Sequence, residues 1–167
     1  MTPAAGRARG FTLLEMAMVL AVIAILALMA APSYLEKIIR DQIVEALPLA
    51  DIAKAPVAAS WALTQTFPAD NAASGLPSAD KIVSNYVASV TVQNGAIHIV
   101  FGNKANNQIA GKTLTLRPAV VEDAPIVPVA WICGTATTPD KMTVKGVNKT
   151  DIPFNQLPLK CRGPAQQ

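Results

Sequence analysis

The hydrophobic pattern changes period twice along the chain, and each change predicts a new element. From Phe11 to Ala31 only Thr12 and Glu15 are polar, so the run has no polar face. At about 1.5 Å per residue it makes a helix of roughly 31 Å, long enough for the hydrocarbon core of a bilayer. After Pro32 polar residues enter at helical spacing. Ser33, Glu36, Lys37, Arg40, Asp41, Glu45 and Asp51 interleave with Leu35, Ile38, Ile39, Ile43, Val44, Leu47, Leu49 and Ile52. This predicts an amphipathic continuation over 32–66, helical to about Leu63. Its apolar residues spread wider than one face, as two partners would require: a sheet on one side and neighbouring helices on the other. Pro48 and Pro56 remove backbone donors inside it and predict kinks.

Thr66–Asp80 carries Pro68, Gly75 and Pro77 among small residues and reads as a surface connection. The period then becomes two. Tyr86, Ala88, Val90 and Val92 alternate with Val87, Ser89 and Thr91, and Asn94-Gly95 supplies a tight hairpin turn. The returning strand sets Ile97, Ile99 and Phe101 on one face. A polar turn over Gly102–Gly111 leads to a third strand, Lys112–Arg117, with Leu114 and Leu116 on one side. Pro118–Pro128 reads as an irregular link and Val129–Cys133 as a fourth strand. The predicted fold is α+β: a long N-terminal helix, hydrophobic and then amphipathic, packed on a four-stranded antiparallel sheet.

Charge sharpens the reading of the first segment. Of the formal net charge of +3, Arg7 and Arg9 lie immediately before the apolar run, and the rest of the chain is close to neutral. Their position predicts that the N-terminus stays cytoplasmic. An ordinary cleaved signal peptide needs an A-x-A-like site near the end of the run, and none occurs there. A simple anchor explains the length and the arginines but not Glu15. A buried helix of a soluble protein does not fit the length. Beyond the segment the two cysteines, Cys133 and Cys161, lie on the exported side, where an even count predicts a disulfide. They bound Thr135–Lys160, a loop too long to be well ordered without a covalent closure.

Gly10-Phe11-Thr12-Leu13-Leu14-Glu15, with its short basic leader and closing Pro32, resembles the class III signal of type IV pilins of the IVa subclass. Thr12, Pro32 and Tyr34 also fall where that pattern expects such residues. The resemblance implies a leader, 1–10, removed by a membrane aspartyl peptidase that cuts after Gly10 and methylates the new amine of Phe11. It implies a transmembrane and filament-core helix over 11–31, continued over 32–66. A globular region over 67–167 follows, with an αβ-loop, a sheet and a disulfide-bounded C-terminal region. Glu15 matches the glutamate used in assembly. With Phe11 and Glu15 at i and i+4, amine and carboxylate are expected on nearly the same side of the helix. A carboxylate in a membrane needs a partner, and a neighbouring subunit's amine is one.

The implied function is a structural subunit of a type IV pilus. It would polymerise with copies of itself into a surface filament for adhesion, twitching motility and DNA uptake. The implied partners are the prepilin peptidase/methyltransferase and the pilus assembly machinery. The implied locations are the inner membrane before assembly and the cell surface after it. A minor or DNA-uptake pilin and a type II secretion pseudopilin share the first helix; the cysteine-bounded terminal region argues for a pilin. Ala17, Ala21, Ala24 and Ala31 form a narrow helical stripe, read either as close helix packing or as the ordinary abundance of alanine in membrane helices. Many relatives carry glycine at the position of Ala24, where alanine makes local melting of the helix less easy.

An anchored periplasmic enzyme or binding protein would need a constellation of reactive or ligating side chains. His98 is the only histidine, expected as a surface residue on the outward face of the second strand. The carboxylates Asp70, Asp80, Glu122, Asp123, Asp140 and Asp151 are scattered, and no calcium or phosphate loop occurs. No catalytic, metal or cofactor residues are therefore assigned. Asn148-Lys149-Thr150 fits a glycosylation sequon that chance supplies often. Lys141, Lys145, Lys149, Lys160 and Arg162 make the terminal region modestly basic, which suits a solvated loop better than a nucleic-acid surface.

Overall fold

The computed structural model describes residues 10–164. The chain divides into two compact units, Met1–Glu36 and Lys37–Gln167. Helix α1 (Leu13–Thr64) contributes to both. The strands are β1 (Val87–Gln93), β2 (Ala96–Phe101), β3 (Thr113–Val120), β4 (Ala130–Cys133) and β5 (Thr143–Val144). In the first unit every residue from Gly10 to Met29 is exposed. Arg7, Arg9 and the side chain of Ala31 lie outside the described residues.

In the second unit α1 buries Ile39, Ile43, Leu47, Ala50, Ala53 and Val57, the inward stripe of a helix of about 3.6 residues per turn. These pack in one core with Val90, Val92, Ile97, Ile99, Phe101, Leu114 and Leu116 from the sheet. α1 runs without a break through Pro48 and Pro56. Each proline withholds a donor from the carbonyl four residues earlier, at Val44 and Ile52. Both of those residues are about half exposed, 45% and 51%, so the loss falls on the solvent side. The helix ends where Gln65 turns left-handed (φ 54) and its N–H donates to Trp61 O at 2.9 Å. Trp61 then stacks on Phe67, with ring centroids 5.0 Å apart.

The sheet is antiparallel in the order β1-β2-β3-β4, with β5 pairing β3. The four expected strands are present, and β5 is an addition hidden in the terminal loop. Asn94 (φ 48) and Gly95 (φ 80) make the expected two-residue hairpin turn. A side chain at Gly95 would meet Phe67 Cγ at 2.6 Å.

Two strand expectations need correction. The alternation that puts Ala88 with Val90 and Val92 fails because the β1–β2 register shifts between Val87 and Ser89, while Tyr86, just before the strand, still packs against the core. Val87, not Ala88, is buried, as a bulge shifts the alternation of side chains where it sits. Pro118 does not end β3, which continues to Val120. In a strand, N and C=O of one residue point the same way. Pro118 O accepts from Lys145 N–H at 2.8 Å, so its missing donor faces the side where β2 has ended and only β5 follows.

The 66–80 connection is also more than a surface loop. Asn71 is buried, donates through Nδ2 to Pro77 O and Val90 O (3.0 Å each), and accepts Val92 N–H at 2.6 Å. It supplies the edge strand β1 with partners and closes that edge against pairing with another chain. Asn71→Ala leaves two buried groups of β1 and the part-buried Pro77 carbonyl unpaired and is expected to lower stability by roughly 3 kcal/mol. The check is the denaturant midpoint of the full-length chain in detergent micelles. A loss near zero would show that water replaces the side chain.

Candidate assembly segment and the covered sheet face

The residues expected to carry maturation and assembly sit together at the start of α1. Thr12 and Glu15 form a capping box: Glu15 N–H donates to Thr12 Oγ1 at 3.2 Å, and Thr12 N–H donates to Glu15 Oε2 at 3.4 Å. Thr12 O accepts from Met16 N–H at 3.1 Å, and the helix starts at Leu13. Phe11 thus lies outside the helix, and the expected i, i+4 alignment of Phe11 with Glu15 does not hold. The reason is local: Thr12 is the N-cap, and helical spacing begins after it. The spacing Thr12-x-x-Glu15 before an apolar run is itself a helix-start signal, and it could have located the cap. The carboxylate is placed at the positive end of the helix, where a negative charge is favoured.

Behind this cap the segment offers large apolar side chains with no cover inside the chain. Leu13 is 89% exposed and Phe11 78%. The most hydrophobic window of α1 has a mean hydropathy of 2.6 and no buried residue. Ala17, Ala21 and Ala24 lie within this exposed stretch.

The second feature is at the far end of the sequence. Cys133 and Cys161 form the expected disulfide, with a sequence separation of 28. Within the loop it closes, 146–151 lies along β3 where β4 does not reach. Asp151 Oδ1 accepts from Thr113 N–H at 2.6 Å, and Asp151 N–H donates to Thr113 O at 3.2 Å. Thr150 Oγ1 accepts from Thr115 N–H at 3.0 Å. Lys149 N–H donates to Thr115 Oγ1 at 3.0 Å, and Gly146 packs so close to Ala96 that a Cβ on it would lie 2.7 Å away. No local sequence signal marks these contacts, because every partner is distant in the chain.

This cover overturns the reading of His98 as a surface residue. His98 does face away from Ile97 and Ile99, but it is only 4% exposed. Its Nδ1 lies 2.9 Å from Thr115 Oγ1, and its Nε2 is buried without a partner. Burial first, and the Lys149 ammonium second, hold the imidazole below its ordinary value of 6.5. Asn148 is committed as well: Nδ2 donates to Gly134 O at 3.0 Å and Oδ1 accepts from Thr150 N–H at 3.1 Å. Of the basic residues in this region, Lys145 pairs with Glu122, Lys149 Nζ donates to Gln93 Oε1 at 2.6 Å, and Arg162 donates to Leu157 O and Asn155 O at 2.7 Å each. Of these three, Lys145 meets an acidic group and the other two meet neutral acceptors.

Among the described residues no group of three or more His, Cys, Asp and Glu is placed to hold a metal. The groove between α1 and β4, about 350 Å³, is lined by Val44, Leu47, Leu116, Trp131, Asp51 and Lys160, with Asp51 paired to Lys54 at 2.7 Å. It brings together no nucleophile and base.

Comparison with known proteins covers both features. Residues 40–162 match the Pilin family, described as a bacterial filament protein, and residues 6–31 match the prokaryotic N-terminal methylation motif. The chain is 35% identical over 166 residues to a fimbrial protein of Neisseria meningitidis serogroup A / serotype 4A, covering 94% of this chain and 95% of the relative. It is 34% identical over 160 residues to the type IV major pilin protein PilE of Neisseria gonorrhoeae, covering 92% and 93%. The fimbrial protein EcpC of Eikenella corrodens is 37% identical over 112 residues, covering 65% of this chain and 73% of the relative.

Proposed function

The chain belongs to the pilin family and is a structural subunit of a type IV pilus, and we propose that its N-terminal segment carries out maturation and assembly in two steps. A prepilin peptidase in the inner membrane removes 1–10 by cutting between Gly10 and Phe11, and the Phe11 amine is methylated. The apolar part of α1 then leaves the membrane for the core of a filament made of copies of this chain, which the pilus assembly machinery extends to the cell surface. Adhesion and twitching motility are the roles we assign to the filament; DNA uptake is a further one.

The observation that carries this reading is the complete exposure of Gly10–Met29 next to one carboxylate, Glu15. Aliphatic side chains gain little when they move from lipid to an equally apolar filament core. The register of an incoming subunit then depends on the polar pair, Glu15 of one subunit with the Phe11 amine of another. Mass spectrometry of sheared surface filaments tests the reading. The expected dominant species begins at N-methylated Phe11. A trace amount of that species would make the chain a minor component, and its absence from filaments would overturn the proposal.

A further inference from the structure

Gly146–Asp151 covers the outer face of β2 and β3 through a short relay that ends on a buried imidazole. Thr115 Oγ1 accepts from Lys149 N–H and lies 2.9 Å from His98 Nδ1. A hydroxyl has one proton and two lone pairs, so Thr115 can serve both neighbours while His98 is neutral. An imidazolium carries N–H on both nitrogens. Thr115 can still accept from both, but the imidazolium would place a full charge on a 4% exposed side chain beside the Lys149 ammonium, with an Nε2–H that has no acceptor. The charges on this face are Lys149 and Asp151 from the covering segment and Arg117 from β3, while β1 presents Thr91 opposite His98. Neither β1 nor β2 carries a charged side chain other than His98 itself. Asp151 is engaged with the Thr113 backbone, and the nearest charge that acts on His98 is the Lys149 ammonium.

We propose that Gly146–Asp151 is an acid-released strap: protonation of His98 buries an uncompensated charge beneath it and lifts the strap from β2 and β3, while the Cys133–Cys161 disulfide keeps it tethered. Lifting exposes the Thr113 and Thr115 N–H groups of β3 and frees the Lys149 ammonium from Gln93. The surface of the subunit therefore differs between neutral and mildly acidic surroundings. The direction follows from linkage. The closed strap tolerates only the neutral imidazole, so His98 is held below 6.5 when closed and returns toward 6.5 when water reaches it. The strap is fully stable above 6.5. As pH falls below 6.5 the open form takes up a proton that the closed form refuses, and closure weakens until the closed-state value is passed.

The test is hydrogen exchange on the full-length chain in detergent micelles, corrected for intrinsic rates, at pH 6.5 and 5.5. Protection of the Thr113, Thr115, Lys149 and Asp151 amides is expected to fall by up to about fivefold over that interval. Protection of the Ile43 and Val57 amides in α1 is expected to stay constant. In His98→Gln, which is neutral at both pH values, the difference between the two groups should vanish. Equal behaviour of the strap and α1 amides in the wild type overturns the proposal, as does an undiminished difference in His98→Gln. Should that variant not fold, an NMR titration of wild-type His98 decides: an imidazole that titrates at its ordinary value with the strap amides still protected is equally fatal.

Discussion

Glu15→Val is expected to leave cleavage after Gly10 intact and to abolish filaments. Loss of the cap alone is too small an effect to do this. A capping side chain contributes on the order of 1 kcal/mol, and α1 runs on to Thr64 with its packing in the second unit untouched. What valine removes is the one charged group of the apolar segment, and with it the polar contact that distinguishes one register of apolar helices from another. Glu15→Gln separates the two roles. Glutamine can still close a capping box with Thr12, but it cannot form an ion pair with a neighbour's amine. If the ion pair sets assembly, both variants are cut and neither assembles. The readout is the N-terminal mass of the membrane-held chain together with the yield of sheared filaments. Wild-type yields from Glu15→Val would sink the assembly role, and wild-type yields from Glu15→Gln alone would reduce it to capping.

Replacing both cysteines, Cys133→Ala with Cys161→Ala, is expected to cost roughly 3.5 kcal/mol of stability, the chain-entropy value for a loop of this length. That is a large part of the 5–15 kcal/mol or so that holds a typical domain together. The loop has little else to order it. β5 is two residues long, and the remaining structure is a strap and two 3-10 turns, Phe154–Gln156 and Leu159–Cys161. Local contacts depend on the bridge as well: Cys161 O accepts from Thr135 N–H at 3.1 Å, which folds the loop's two ends against each other. Chemical denaturation of the full-length chain in detergent micelles measures the loss. A change below about 1 kcal/mol would mean that the strap and β5 hold the region unaided.

How far the sequence reaches can be seen element by element. The start of α1, its apolar first part, the inward stripe from Ile39 to Val57, the Asn94-Gly95 turn and the Ile97-Ile99-Phe101 face are all written in spacing or turn chemistry within a few residues. Such signals survive because the backbone conformation at those positions is chosen locally. The resemblance to type IV pilins rests on the same kind of compact signal, a run of six residues before an apolar helix. Two positions in the sheet where expectation failed have the opposite property. Ala88 leaves the core face because of a register slip against β2, and Pro118 stays in a strand because its missing donor faces the side where β2 has ended and only the short β5 follows. Neither fact exists until a partner strand is in place.

His98 shows the division most clearly. Alternation along β2 places it opposite Ile97 and Ile99, and that much the chain determined by itself. Whether the outer face meets water or protein depends on 146–151, which lies about fifty residues further along and reaches β3 only through tertiary contacts. Hydrogen bonds from Lys149, Thr150 and Asp151 to β3, held within reach by the Cys133–Cys161 bridge, turn an outward histidine into a buried one. Local periodicity thus determined which side each residue takes. Long-range closure decided what covers that side, because burial belongs to a pair of surfaces and not to one stretch of chain.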